Sequence, residues 1–409
     1  MKDVLYVTHR VPWPPDRGDR IRTYNIIRYL GQRCRLHVVS LAEEPASPKV
    51  ITELKRHCAS VSIVPIPKTR WLNAAFSFAR GRSVTEGLFA APQMNAVIDE
   101  LTAKTTFDAT LASSSGVAGY IDHPRLQNTR RWVDLIDVDS EKWINYAAAS
   151  NPLMSQIYRR EGQRLRQVEV ELAETCDELT VVSDAEVDVF RSFSDAGTVT
   201  AMTNGVDLDY FARPDDFDEE MKCVFVGVLN YKPNADGVVW FCTNVWPEVR
   251  RRLPKAGFEV VGRSPGSDVL ALDEIEGVEV VGSVPDVRPY LWSASTVVAP
   301  LRIARGVQNK VLEAFAASRP VVSSPDALVG LAIDSDVHAV RPTTAEEWSD
   351  SICELLANQY RRFELGAAAR EWVTAHHRWE VCLRDFGRMI DEPSFPSTNN
   401  APLSSVGVS

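Results

Sequence analysis

The sequence has no stretch approaching the roughly 18 consecutive apolar residues that a membrane-spanning helix needs, so a soluble chain is expected, with peripheral membrane contact left open. It also has no Cys-x-x-Cys pair. Its seven cysteines (Cys34, Cys58, Cys176, Cys223, Cys242, Cys353 and Cys382) are odd in number and scattered. That pattern fits reduced thiols in a cytosolic protein better than a disulfide framework or a zinc site. A basic surplus is missing too: the formal net charge is −10. A general nucleic-acid binder would need a basic face to neutralise phosphates. Met1-Lys2-Asp3 runs directly into the strand-like Val4–Val7 without a signal-peptide layout. No Gly-x-Gly-x-x-Gly follows that first strand, which disfavours an NAD-dependent dehydrogenase. The histidines form no metal-ligand set, and His376-His377 are assigned no chemistry.

What is present is globular in character: 409 residues, 45% apolar and 24% charged. That length makes two domains the natural expectation. Short β-branched runs alternate with amphipathic segments, the pattern of parallel α/β layers. In the first half, strands are expected at 3–8, 35–40, 60–65, 109–113, 131–136 and 178–182. In the second half they are expected at 222–226, 257–261, 278–281, 296–299 and 320–323. Helices are expected at 20–30, 49–58, 95–101 and 152–176, with a last one at 372–390.

Asn204-Gly205 is a turn signal, and apolar periodicity is lost after it. The organisation expected is a first lobe over 1–203, a linker over 204–221 and a second lobe over 222–371. A closing helix over 372–390 packs back towards the first lobe, and a disordered tail covers 391–409. Two parallel-sheet lobes that face each other bring two ligand-binding sheet edges to one cleft.

The most informative segment runs from Pro300 to Val322. A strand ends at Pro300, a Gly-containing loop carrying Arg305 and Gly306 follows, and a helix is expected to start near Val307. A helix start offers free N–H groups and a positive dipole end, which suit a diphosphate. Beyond Gln308, Asn309, Lys310 and Glu313 fall at i, i+1 and i+4 and share a helix face. Lys310 can pair with phosphate, and the Glu313 carboxylate can accept from two ribose hydroxyls. Read from the residues alone, a solvated helix start with a routine Lys and Glu fits equally well.

Other segments are suited to the same cleft. His9 to Arg22 leads out of the first strand, and Gly18 can approach a ligand closely. Arg263 directly follows a strand, where its guanidinium can grip phosphate, though a surface ion pair is the plain alternative. Asp137 and Asp139 end another first-lobe strand, and in an extended chain they share a face. Either could orient an acceptor hydroxyl or act as a base, or simply cap the next helix. Lys68 to Arg82 places aromatic and apolar residues between four basic side chains, a composition suited to an anionic membrane surface. An ordinary core helix with basic ends has the same composition.

The run Ile303-Ala-Arg-Gly-Val-Gln-Asn-Lys-Val-Leu-Glu-Ala314 resembles the signature of glycosyltransferase family four, and within it the sugar transferases linked to the exosortase (PEP-CTERM) exopolysaccharide system. The family places two glutamates eight positions apart at this helix. Glu313 matches the second, which binds the donor ribose, and Arg305 stands where the first contacts the donor sugar. The exosortase-linked group also carries Arg there. Phe225 to Asp236 resembles the family's first donor-lobe strand and glycine turn, which implies donor contacts from Gly227, Asn230 and Lys232. Val228 and Asn234 stand where many relatives carry an Arg and a Lys on the diphosphate, so Lys232, Arg263 and Lys310 are left to supply the positive charge. Val280 to Asp286 resembles the loop that frames the base, which implies a contact from Val284.

The resemblance implies a GT-B fold with two Rossmann-like lobes, no cofactor and no catalytic metal. It implies a cytoplasmic retaining transferase that moves a sugar from a nucleoside-diphosphate sugar to a glycan or polyprenyl-linked acceptor, at or near the inner membrane face. Asp137, Asp139 and Arg305 are the catalytic candidates, and donor contacts fall to Gly18, Gly227, Asn230, Lys232, Arg263, Val284, Gly306, Gln308, Asn309, Lys310 and Glu313. A GT-B-fold nucleotide-sugar epimerase and a non-catalytic partner subunit are the alternatives.

Overall fold

The computed structural model describes residues 1–148, 150–304 and 306–391. Arg305 and the tail from 392 onward, both part of the sequence expectations, lie outside the described residues. The chain forms two parallel-sheet α/β lobes. The first sheet contains β1 (Asp3–Thr8), β2 (Arg35–Ala42), β3 (Ser60–Pro65), β4 (Ala109–Ser113), β5 (Arg130–Ile136), β6 (Glu178–Val181) and β7 (Val199–Ala201). Its order is β3-β2-β1-β4-β5-β6-β7. The second contains β8 (Glu220–Val226), β9 (Gly257–Val261), β10 (Val278–Gly282), β11 (Ala294–Ala299) and β12 (Val321–Ser323), in the order β10-β9-β8-β11-β12.

Both sheets are covered on both faces, so their central strands are apolar runs rather than alternating ones. Val4 to Val7 and Cys223 to Phe225 are fully buried. The strand order reverses between β1 and β4 in the first sheet and between β8 and β11 in the second. Ligands in open parallel sheets bind at such reversal points, beyond the carboxyl ends of the strands. Loop residues that follow β1, β4, β8 and β11 are therefore the ones placed to meet a ligand.

The closing segment differs from the single helix expected over 372–390. A helix covers Gln359–His376, and two short ones follow at Trp379–Cys382 and Arg384–Asp391. The break has a tertiary cause. The carbonyl of His377 accepts from Val206 N at 2.7 Å, and its ring Nδ1 lies 2.7 Å from the carbonyl of Asn204. His377 is thus buried in the junction between the lobes. A Cβ on Gly205 would sit 2.7 Å from Trp379 N, so only glycine lets the two segments touch. Beyond the break, Trp379, Leu383, Phe386 and Ile390 enter the first-lobe core with Val4, Tyr6 and Ile26.

Candidate functional site

Each lobe contributes one edge of the cleft. In the first lobe, β1 is followed by His9, whose N–H and Nδ1 lie 3.3 and 3.1 Å from Ser113 Oγ at the end of β4. Arg10 and Arg17 then hold Asp19 at 2.8 Å each, beside His9 Nε2 at 3.4 Å. Burial works against the Asp19 charge, but His9, Arg17 and Arg10 outweigh it and hold the carboxyl well below its ordinary range. The cations of the loop are thereby tied to an acid. Gly18 opens the helix Gly18–Gly31.

β5 ends at Ile136 in the left-handed region, with φ 73°, and the Asp139–Ala148 helix begins three residues later. The expectation that Asp137 and Asp139 share one face of an extended chain is therefore corrected: the backbone turns between them. Buried carboxylates fix that turn from behind. Glu186 accepts from Val138 N at 2.8 Å, and Glu169 accepts from Ser140 N at 3.0 Å. Asp137 is open to water, yet both lobes wall it in. That enclosure, with Glu186 and Asp139 close by, raises its carboxyl to about 7. The same enclosure raises Asp139, although Lys142 and His9 oppose the shift. A carboxylate held near neutrality can take a proton from a hydroxyl or hold one.

In the second lobe, Gly227 follows β8. A Cβ on Gly262 would fall 1.6 Å from the Gly227 carbonyl, so the backbones beyond β8 and β9 touch. Asn234 is buried, donates to Val228 O at 2.9 Å and accepts from Lys310 Nζ at 2.6 Å. Asn234 thus fixes the Lys310 ammonium from the β8 side. Lys310 Nζ also lies 4.8 Å from the centroid of the Phe225 ring. The helix bearing Lys310 spans Asn309–Ala316, with Gln308 as its cap, so it starts two residues later than expected. Burial lowers the Lys310 ammonium to about 7, with Glu313 resisting, and raises the Glu313 carboxyl to about 7, with Lys310 resisting. A diphosphate beside the one and a ribose beside the other would restore both charges.

The lobes meet along this helix. Gly306, at φ 59°, leaves so little room that a Cβ there would lie 2.9 Å from Val182 and 3.3 Å from Asp137 Oδ1. A Cβ on Gly18 would lie 3.8 Å from Asn309 Nδ2. Arg263 reaches across to Asp16 at 3.0 Å. The structure thus brings Gly18, Asp137, Gly306 and Asn309 to one seam, with Lys310 and Glu313 on the helix behind. Asn230 and Lys232 are exposed on the way into the Lys232–Asn244 helix. Val284 packs partly against the second-lobe core in the loop after β10.

Sequence reasoning did not single out Asp16, Arg22, Asn204 or Glu186. Arg22 carried a signal. It lies four and eight residues before Ile26 and Leu30, so a cation sits on an apolar helix stripe and requires a buried acid. That acid is Asp134, which meets it at 2.7 and 2.8 Å.

Residues 220–358 match the family model described as Glycosyl transferases group 1, and the second lobe thus carries a domain of that kind. Over 252 residues the chain is 29% identical to the GDP-mannose-dependent alpha-(1-6)-phosphatidylinositol monomannoside mannosyltransferase of Mycobacterium tuberculosis. That match covers 53% of this chain and 62% of the relative, so it spans less than two thirds of the relative's length. Among solved structures, sucrose-phosphate synthase from Thermosynechococcus elongatus superposes with a TM-score of 0.68 at 18% identity, covering 95% of this chain and 98% of that one. Anabaena HepE in complex with UDP and glucose does so with a TM-score of 0.68 at 12% identity, covering 95% and 99%. The two-lobed GT-B fold is common to this chain and both of these structures.

Proposed function

We propose that this chain is a retaining glycosyltransferase that moves a sugar from a nucleoside-diphosphate sugar to the hydroxyl of a glycan or lipid-linked acceptor. The observation that carries this reading is the Asn309–Ala316 helix, whose first turn faces Gly18 and whose Lys310 and Glu313 are both held near neutrality. A site that sets a closely surrounded ammonium beside a closely surrounded carboxylate is matched to a ligand with an anion and a pair of hydroxyls. The departing diphosphate would be stabilised by Lys310, Arg263 and the free N–H groups of the helix start. Asp137, raised towards neutrality next to Gly306, is the group placed to orient or deprotonate an acceptor. The family implies retention and no metal, and Arg305 would stand at the donor sugar. The chain's own cations then supply the charge on the diphosphate.

The resemblance to the exosortase-linked enzymes supports a role in exopolysaccharide assembly at the cytoplasmic face of a membrane. The Arg70–Ala79 helix favours the same place. Trp71, Leu72 and Phe76 are 65%, 70% and 57% exposed on it, with Lys68, Arg80 and Arg82 around them. No helix among the described residues is long and apolar enough to cross a membrane.

The test is a screen of GDP- and UDP-sugars against polyprenyl-linked acceptors, comparing wild type with Glu313→Ala. Loss of the ribose contact should lower transfer at least about tenfold, about 1.4 kcal/mol in transition-state binding. Undiminished transfer by the variant would remove the ribose assignment. Product formed without any acceptor would point to an epimerase instead.

A further inference from the structure

At the junction of the lobes a buried hydrogen-bond chain runs from the first-lobe core to the start of the donor helix. Asp134, at the centre of β5, holds Arg22 through two bonds, and both side chains are essentially inaccessible to water. Arg22 Nη1 donates onward to Met202 O at 2.6 Å and to Asn204 Oδ1 at 3.1 Å. Asn204 Nδ2 donates to Asn309 Oδ1 at 3.1 Å. Asn309 is the first residue of the Asn309–Ala316 helix. The buried Asn204 also accepts from His377 at its backbone carbonyl, so three chain segments fix its position.

The direction of this chain follows from chemistry. A guanidinium can only donate, so Asn204 must turn its oxygen towards Arg22 and its NH2 away from it. The side chain that receives that NH2 must offer an oxygen. Asn309 therefore has its own NH2 left over, and that group lies beside Gly18 at the seam of the lobes, 3.8 Å from where a Cβ would stand. An amide that could rotate either way in isolation is set as a donor where the two lobes meet.

We propose that Asn204 is a positioning residue that makes Asn309 a hydrogen-bond donor to the phosphate oxygens of a bound nucleoside diphosphate, without touching the ligand itself. This rests on the nucleotide-sugar reading above. Substituting Asn204→Asp reverses the polarity. Aspartate still accepts from Arg22, but it can no longer donate to Asn309. Asn309 must then turn its NH2 inward and its oxygen towards the anion. Asn309→Asp reaches the same end directly, because Asn204 still donates to the new carboxylate while its other oxygen faces the phosphates.

Binding of GDP and UDP, and of guanosine and uridine as phosphate-free probes, would be measured by calorimetry on the full chain, with thermal melting as the check on folding. For the diphosphate that wild type prefers, Asn204→Asp should weaken binding at least about tenfold, the scale of one hydrogen bond to a charged group turned into a repulsion. Binding of the matching nucleoside should change less than about twofold. Equal losses for nucleotide and nucleoside, or an unchanged diphosphate affinity, would overturn the proposal. If Asn204→Asp melts early, Asn309→Asp decides the matter, since it keeps the buried chain intact. Diphosphate binding by that variant at the wild-type level overturns the proposal, and a phosphate-selective loss supports it. Wild-type protein that binds neither diphosphate would overturn the nucleotide reading itself, a result separable from any variant.

Discussion

Arg263 Nη1 lies 3.0 Å from Asp16 Oδ2, so a candidate diphosphate cation of the second lobe is held by a carboxylate of the first. Asp16 also meets Arg20 at 3.1 Å. Both partners of the cross-lobe pair are more than a third exposed, which places its net worth at about 0–1 kcal/mol. An incoming diphosphate would displace Asp16 and pay that amount. Asp16→Asn should therefore tighten nucleoside-diphosphate binding by up to about fivefold, and the gain should shrink in high salt. Calorimetric titration at two ionic strengths measures it. Weaker binding by the variant would mean that Asp16 organises the loop instead of competing for Arg263.

The strands were legible from sequence because buried parallel strands are nearly pure apolar runs: Val4–Val7 and Val297–Ala299 could be little else. β7, three residues long at the sheet edge, is too short to carry a pattern, and no strand was expected there. The segment after Trp372 kept helical periodicity although tertiary contacts at His377 break it. The helix bearing Lys310 and Glu313 was visible as a motif, but its electrostatic state was not. That state comes from burial and from the pairing of the two groups, and the residues packed against Lys310, Asn234 and Phe225, lie some 80 residues earlier in the chain. Likewise Asn204 read as a turn residue, since nothing local reveals that its side chain lies between Arg22 and Asn309.

Glu169 is fully buried beneath the turn that carries Asp137 and Asp139, and burial pushes its carboxyl up to about 8, although Ser140 opposes the shift. A carboxyl raised on folding stabilises the protein fully below its unfolded value and loses that contribution as pH rises through the folded value. Here the window runs from about 4.5 to about 8. Glu169→Gln removes the titration while keeping an oxygen that can accept from Ser140 N. Its melting temperature relative to wild type should therefore climb across that window, by on the order of a few degrees. Parallel pH profiles for the two proteins would contradict the assignment.

The exposed Trp71, Leu72 and Phe76 predict peripheral binding to anionic bilayers. A helix with an apolar face and cationic flanks settles into the headgroup boundary. Arg80 is stacked 4.0 Å from the Phe76 ring, so charge and apolar surface enter together. Wild-type protein should sediment with vesicles of phosphatidylglycerol and phosphatidylcholine, and far less with phosphatidylcholine alone. Trp71→Ser combined with Phe76→Ser should reduce that binding at least about fivefold, since two large side chains lose their burial. Changing Arg70, Arg80 and Arg82 together should weaken it as well. Equal sedimentation of variants and wild type would detach this helix from any membrane role.

The Lys310 ammonium and the Glu313 carboxyl both sit at about 7 in the free protein, so nucleotide affinity should be bell-shaped in pH. Above pH 7 the free Lys310 is largely neutral, and a diphosphate favours its charged form. Binding there must take up a proton, and affinity must fall as pH rises. Below pH 7 Glu313 becomes neutral and accepts more weakly from the ribose, so affinity falls again. The two limbs are separable because they belong to different parts of the ligand. Nucleosides should lose the alkaline limb, and 2′-deoxynucleotides should show a weaker acidic one. Comparing the latter with ribonucleotides cancels the protonation of the phosphate itself, near about 6. Calorimetry at pH 8 in two buffers of different ionisation heat counts the proton directly. Lys310→Met should abolish the uptake and flatten the alkaline limb, because among the described residues Lys310 is the ammonium that stands against Asn234. Proton uptake that survives in this variant would move the phosphate contact away from Lys310 to a different cation.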